Sequence, residues 1–137
     1  MRTVGLLSLL LSAAVASPMA FGACLGDYSL SGEYHRSDAV LTGLVTDAHL
    51  IEDKGDPVSF LAIVYSVRVD RSYRGDLRGV VRVYSENSSG RFPMELGTHY
   101  VLFLHKSGPN LAAYDCGNSG PIEDKAAVLR SLTSETP

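Results

Sequence analysis

Few residues in this chain have side chains that do chemistry. Its only cysteines are Cys24 and Cys116, and its histidines are His35, His49, His99 and His105. Two cysteines fall short of a four-ligand structural zinc site unless histidines complete it. No histidine pair has the helical i, i+4 spacing of a zinc protease, and His-Glu-x-x-His does not occur. His99 and His105 share a strand face, but six residues of strand span about 20 Å, too far for one metal. A nucleophile elbow, Gly-x-Ser-x-Gly, is also missing, and the acidic residues are scattered without an acid–base pair. The reading is therefore a chain with no catalytic residue, no resident metal and no cofactor.

Three further patterns have plain structural explanations. Arg74-Gly75-Asp76 spells a cell-adhesion tripeptide but reads as a strand-connecting turn that needs its glycine. Asn87-Ser88-Ser89 is a glycosylation acceptor only in a host that glycosylates exported chains. Tyr28, Tyr34, Tyr73 and Tyr84 either line a binding surface or pack inside with their hydroxyls bonded.

The cysteines take their meaning from the compartment. Arg2 precedes an uncharged, mostly apolar run from Thr3 to Ala16, followed by Ser17, Pro18 and Met19. The run is too short to span a bilayer and has the layout of a secretory signal. Small residues one and three positions before a cut place cleavage after Gly22, making 1–22 the signal and 23–137 one exported domain beginning at Ala23. Cleavage after Ala23 instead puts bulky Phe21 at the third position. Phe21-Gly22-Ala23-Cys24 also reads as a degenerate lipobox, which would place a lipid on Cys24. In an oxidising compartment the even cysteine count favours a Cys24–Cys116 disulfide. Closing a loop of roughly 90 residues stabilises by ~4–5 kcal/mol in the chain-entropy model.

Removing 1–22 takes away Arg2 alone among charged residues, so the formal net charge goes from −3 to −3 − 1 = −4. An acidic balance without a basic stripe argues against nucleic acid as a partner. Nothing after the signal is long and apolar enough to be a transmembrane segment.

The elements that would position the cysteines are mainly β. Ser29 to Ser37 forms a short helix capped by Ser29 or Ser31. From Asp38 the period becomes two, and both Val40-Thr42-Leu44 and Leu41-Gly43-Val45 are expected to be at least partly covered. After a charged turn at 52–57, Leu61, Ile63, Tyr65, Val67 and Val69 form one apolar face. The other face begins apolar (Phe60, Ala62, Val64) and turns polar, as in a long bent strand of a small barrel. Val80–Tyr84, Tyr100–His105 and Leu111–Cys116 complete five strands, with Glu86–Arg91 a loop and Gly108 or Asn110 taking a positive φ. A C-terminal helix starts at Pro121 and carries Ile122, Ala126, Leu129 and Leu132 on one stripe, with Thr133–Pro137 frayed. These elements assemble as a small five-stranded OB-fold-like barrel with a short N-terminal helix and a C-terminal helix. A β-sandwich is the rival, and five strands are few for one.

Four segments, in order, resemble the tissue-inhibitor-of-metalloproteinases-like (netrin-type OB) family, in particular its bacterial members. They are Ser37–Val45, Tyr65–Val69 with Ser72–Asp76, Leu96–Phe103, and Tyr114–Pro121, and the likeness runs from about Cys24 to Leu132. In the animal inhibitors the mature chain opens Cys-x-Cys, and the first cysteine's amine and carbonyl chelate the target protease's zinc. The resemblance aligns Cys24 with the second cysteine and Cys116 with its partner. Gly22 stands where the first cysteine would be, and Ser88, Ser89 and Gly90 where that cysteine's partner would be. The resemblance thus implies the fold and one disulfide, and leaves the zinc-directed wedge without its first residue.

The functional expectation is an exported (periplasmic or extracellular), non-enzymatic OB-fold module that binds a protein or an envelope component. One alternative is a metalloproteinase inhibitor acting through a protease-facing N-terminus at Ala23 and Cys24. The other is an envelope protein anchored by a lipid on Cys24.

Overall fold

The computed structural model describes residues 24–134. Residues 1–22, where a signal is expected, Ala23 and residues 135–137 lie outside the described residues.

The chain runs α1 (Leu30–Arg36), β1 (Ala39–Glu52), β2 (Phe60–Arg74), β3 (Val80–Glu86), β4 (His99–Ser107), β5 (Asn110–Ala112), β6 (Gly120–Pro121), a 3₁₀ turn at Ile122–Asp124 and α2 (Ala126–Ser134). Antiparallel pairs join β1 to β2, β2 to β3, β5 to β4 and β4 to β1, while β3 meets β5 in parallel. Five strands therefore close on themselves in the order β1-β2-β3-β5-β4, an OB-fold-like ring, and β6 adds a short pair beside β4. The expected fold class is the observed one.

The ring explains why the ends of β1 and β4 that lie together are apolar on both faces. Ala39, Leu41 and Val45 point inward with Leu102, Leu104 and Tyr100, and pack on Tyr65, Val67 and Val83. Val40, Val101 and Phe103 point outward and are covered by Leu132, Val128 and Leu129 of α2, with Leu30 and Tyr34 of α1 and Tyr73 of β2. One cluster fills the ring and a second lies under the helices. Each fully buried aliphatic side chain contributes about 1.5–3 kcal/mol. Close approach of β1 to β2 depends on Gly43, where a β-carbon would stand 2.6 Å from Val67 and 2.7 Å from the Arg68 carbonyl oxygen.

The interior is closed by the helix-free connection between β3 and β4. Phe92 and Met94 enter the core from it. Three buried hydroxyls hold its backbone: Ser85 accepts from the Phe92 N–H at 3.0 Å, Tyr65 from Met94 at 3.1 Å and Tyr100 from Glu95 at 3.0 Å. An irregular segment can be buried here because its backbone donors find partners.

Several expectations hold and some boundaries move. Ser29 is the α1 cap, its hydroxyl accepting from the Gly32 N–H. Gly108 takes the positive φ in the tight β4–β5 connection. Both long strands run further than their alternation indicates, β1 to Glu52 and β2 to Arg74. β5 is shorter than 111–116: past Ala112 the backbone turns to bond Tyr84 and Gly90, which carries Cys116 away from the sheet. The C-terminal helix does not begin at Pro121. That residue pairs with Tyr100, the 3₁₀ turn follows, and α2 starts only at Ala126. Its packed stripe is accordingly Val128, Leu129 and Leu132, while Ala126 is exposed. Thr133 and Ser134, expected to fray, belong to α2.

Candidate functional site

The cysteines are joined. Cys24 and Cys116 form a disulfide with Cα atoms 5.7 Å apart across a separation of 92 residues, within the ordinary span for such a bond. A lipid on Cys24 would need the same sulfur. The bond fits an oxidising compartment. No helix among the described residues is long and apolar enough to cross a membrane.

Around the disulfide, Leu25, Asp27 and Tyr28 of the segment Cys24–Tyr28 are each held by hydrogen bonds. The Tyr28 hydroxyl donates to the Leu25 carbonyl at 3.3 Å. Asp27 accepts from the Ser29 N–H at 2.9 Å, the local turn that aspartate favours before a helix. Hydrogen bonding from Ser29, with the nearby Arg36 charge, holds the Asp27 carboxyl below its ordinary pKa. Arg36 donates to the Asp27 carbonyl and lies over the Tyr28 ring, 5.7 Å from its centre. On the other side, the Asn118 amide donates to the Tyr28 carbonyl at 3.1 Å.

Glu33 completes the clamp. It is buried at 2 % exposure, and its carboxylate accepts from the Asn118 backbone at 2.7 Å and from the Asn118 side chain at 2.6 Å. A buried carboxylate is tolerated when charge-assisted donors surround it. Gly117 is needed beside it: φ is +116°, and a β-carbon would fall 2.2 Å from the Glu33 Oε1. The disulfide and the Glu33–Asn118 clamp together fasten the start of the domain to the 115–119 turn.

What this anchoring presents is a surface. Leu25, directly after the disulfide, is 87 % exposed. Leu25, Gly26, Tyr28, Arg36, His105 and Tyr114 line a shallow, open depression of about 330 Å³. The His105 and Tyr114 rings lie against each other with centres 6.1 Å apart. Tyrosine and arginine around an exposed aliphatic residue make the composition found at protein–protein interfaces.

The other candidates disperse. His35 is exposed on α1 and meets the Tyr34 ring edge-on, and His49 is exposed far along β1. His99 pairs with Asp70 at 2.7 Å. Among the described residues, no group of three His, Cys, Asp or Glu side chains is placed to hold a metal ion. Arg74 is turned onto α1, its Nε donating to the Ser37 carbonyl at 2.7 Å, and Gly75 and Asp76 make the turn at positive φ. Asn87 is exposed and donates to the Phe60 carbonyl at 2.9 Å. Tyr34 and Tyr73 pack under the helices, Tyr34 donating to the Tyr73 carbonyl at 2.8 Å, while Tyr84 is half-buried on β3. Of the four tyrosines, Tyr28 alone lines the Cys24 surface. Leu25, Arg36, Tyr114 and the clamp residues Glu33 and Asn118 escape sequence reasoning, and His105 enters it only as a metal ligand to be excluded.

The chain matches no protein-family model and no curated protein.

Proposed function

We propose that this protein is an exported, non-enzymatic OB-fold module of the tissue-inhibitor-of-metalloproteinases-like kind, which binds another protein or an envelope component through its Cys24 face. The observation that carries this reading is the exposed Cys24-Leu25-Gly26 segment, fastened by a disulfide and flanked by Tyr28, Arg36, His105 and Tyr114. A segment already ordered loses little conformational freedom on binding, which favours affinity. The experiment is site-specific photo-crosslinking in the native envelope. A crosslinker at position 25 should capture one defined adduct, lost when Tyr114→Ala and Arg36→Ala are added. Equal labelling from positions 25 and 123 would sink the reading.

A second reading has one observation in its favour: Cys24 is exposed while its sulfur is anchored. A mature chain starting at Cys24 would present a free amine beside a carbonyl, a pair able to chelate a protease's zinc. Intact mass before and after reduction and alkylation separates the cases. A chain starting at Ala23 that alkylates only after reduction supports the binding module. An unmodified start at Cys24, together with inhibition of zinc endopeptidases, supports the inhibitor. A diacylglycerol-sized excess on Cys24 would mean a lipid anchor and no disulfide.

A further inference from the structure

The second half of β1 leaves the ring. Pairing with β4 ends at Leu44–His99, followed only by backbone bonds from Val45 to Thr98 and Gly97. A register shift between Val45 and Asp47 marks a bulge. Beyond it, β1 continues to Glu52 with β2 on one side and, among the described residues, no strand on the other.

The hydrogen-bond pattern shows which groups face outward. The Asn87 N–H donates to the Leu61 carbonyl, and the Val69 N–H to the Gly79 carbonyl, so odd-numbered β2 residues turn their backbone toward β3. Even-numbered ones then face β1, where Ser66, Val64 and Ala62 stand opposite Asp47, His49 and Ile51. Antiparallel pairs alternate between bonded and non-bonded. The backbone N–H and C=O of Ala48 and Leu50 therefore point away from β2, along the free edge. Leu50 is 52 % exposed, and a shallow depression of about 420 Å³ runs beside His49, Leu50, Ile51, Glu52 and Lys54. The usual guards of an edge, proline and lysine, are absent from 47–51.

The structure assigns this edge as a docking strand for an extended, basic segment of another protein, added antiparallel or parallel to β1 through Ala48 and Leu50. Charge selects the occupant. The edge strand and its turn carry Asp47, Glu52, Asp53 and Asp56 against one cation, Lys54. Those carboxylates favour lysine or arginine flanking the incoming strand, and they repel a second copy of this edge. Strand addition takes its affinity from main-chain bonds and its selectivity from alternate side chains, so the incoming segment needs an apolar residue beside Leu50. This surface is independent of the Cys24 face.

The test uses the full exported chain and a synthetic peptide of about ten residues, a typical strand length at most, with alternating valine and threonine and lysines at both ends. Binding should slow hydrogen exchange at the Ala48 and Leu50 amides. It should weaken at least about tenfold when the peptide lysines become glutamates or a proline is placed at the peptide's centre. Leu50→Pro removes an outward donor and no β1–β2 bond, so it should weaken binding by a similar factor in a chain that still folds. Equal binding of the acidic or proline peptide overturns the proposal, as does protection away from 47–51 or no binding at all. Concentration-dependent self-association protecting the same two amides would mean that the occupant is a second copy, and also overturns it. Exchange in the unsubstituted chain decides the matter even if Leu50→Pro fails to fold.

Discussion

The two halves of β1 both carry large aliphatic side chains, five aliphatic residues in the first seven and three in the second, and have opposite fates. From Ala39 to Val45 the strand is buried on both faces, inside by the core of the ring and outside by α1 and α2. From Thr46 to Glu52 it is largely exposed, although Leu50 and Ile51 are as apolar as Val40 and Leu41. The difference lies in what arrives from elsewhere in the chain. At the first half, the two helices and β4 converge. At the second, β2 is the only neighbouring strand among the described residues. Burial along one strand is thus decided by partners distant in sequence.

The contrast can be broken where it is strongest. Replacing Cys24 and Cys116 together by serine should destabilise the protein by ~4–5 kcal/mol in the chain-entropy limit, read by denaturant melts with and without reductant. A loss below about 1 kcal/mol would mean that the start of the domain is held by something other than the bond. Next, Leu41→Ala should cost about 2–5 kcal/mol and Leu50→Ala under about 1, because one vacates a filled core and the other a solvated edge. Comparable losses would erase the distinction between the two halves. Glu33→Ala takes the carboxylate acceptor from the half-buried Asn118 backbone and side-chain donors, leaving the side chain only the Tyr28 carbonyl, and should cost roughly 1–3 kcal/mol. Glu33→Gln, which keeps an acceptor, should recover part of that. The smallest effect is a pH dependence at Asp27. Its folded pKa is lowered by Ser29 and Arg36, so its contribution is present above the unfolded carboxylate pKa and is lost as pH falls through the folded one. Asp27→Asn should flatten the acid limb slightly, lowering the neutral-pH melt a little and leaving the melt below the folded pKa nearly unchanged.

Much of the architecture is legible in local pattern. Period-two alternation marks β1 and β2, Ser29 caps α1, and Gly108 makes its turn. The cysteine count and the compartment together point to the disulfide. Other features rest on contacts that no local window contains. Tyr65, Ser85 and Tyr100 look like ordinary strand residues until the 87–98 connection comes to use their hydroxyls. Glu33 reads as a solvated helix residue, and only Asn118, 85 positions later, gives it a reason to be buried. β6 is two residues long, too short to leave a periodic signal, and by claiming Pro121 it displaces the expected helix start. The Cys24 surface was half legible: its sulfur could be read, but its depression joins residues from three separate stretches.

The disulfide has a consequence for survival among proteases. It links the first described residue of the domain to one just past the last strand of the ring. A single cut anywhere between positions 24 and 116, whether in the exposed 52–59 turn or at Ser88-Ser89, leaves two fragments that remain one molecule. The β1–β2 ladder and the hydroxyl-held plug can then keep the pieces in register. Nicking would convert the domain into a two-chain form, visible as fragments only after reduction.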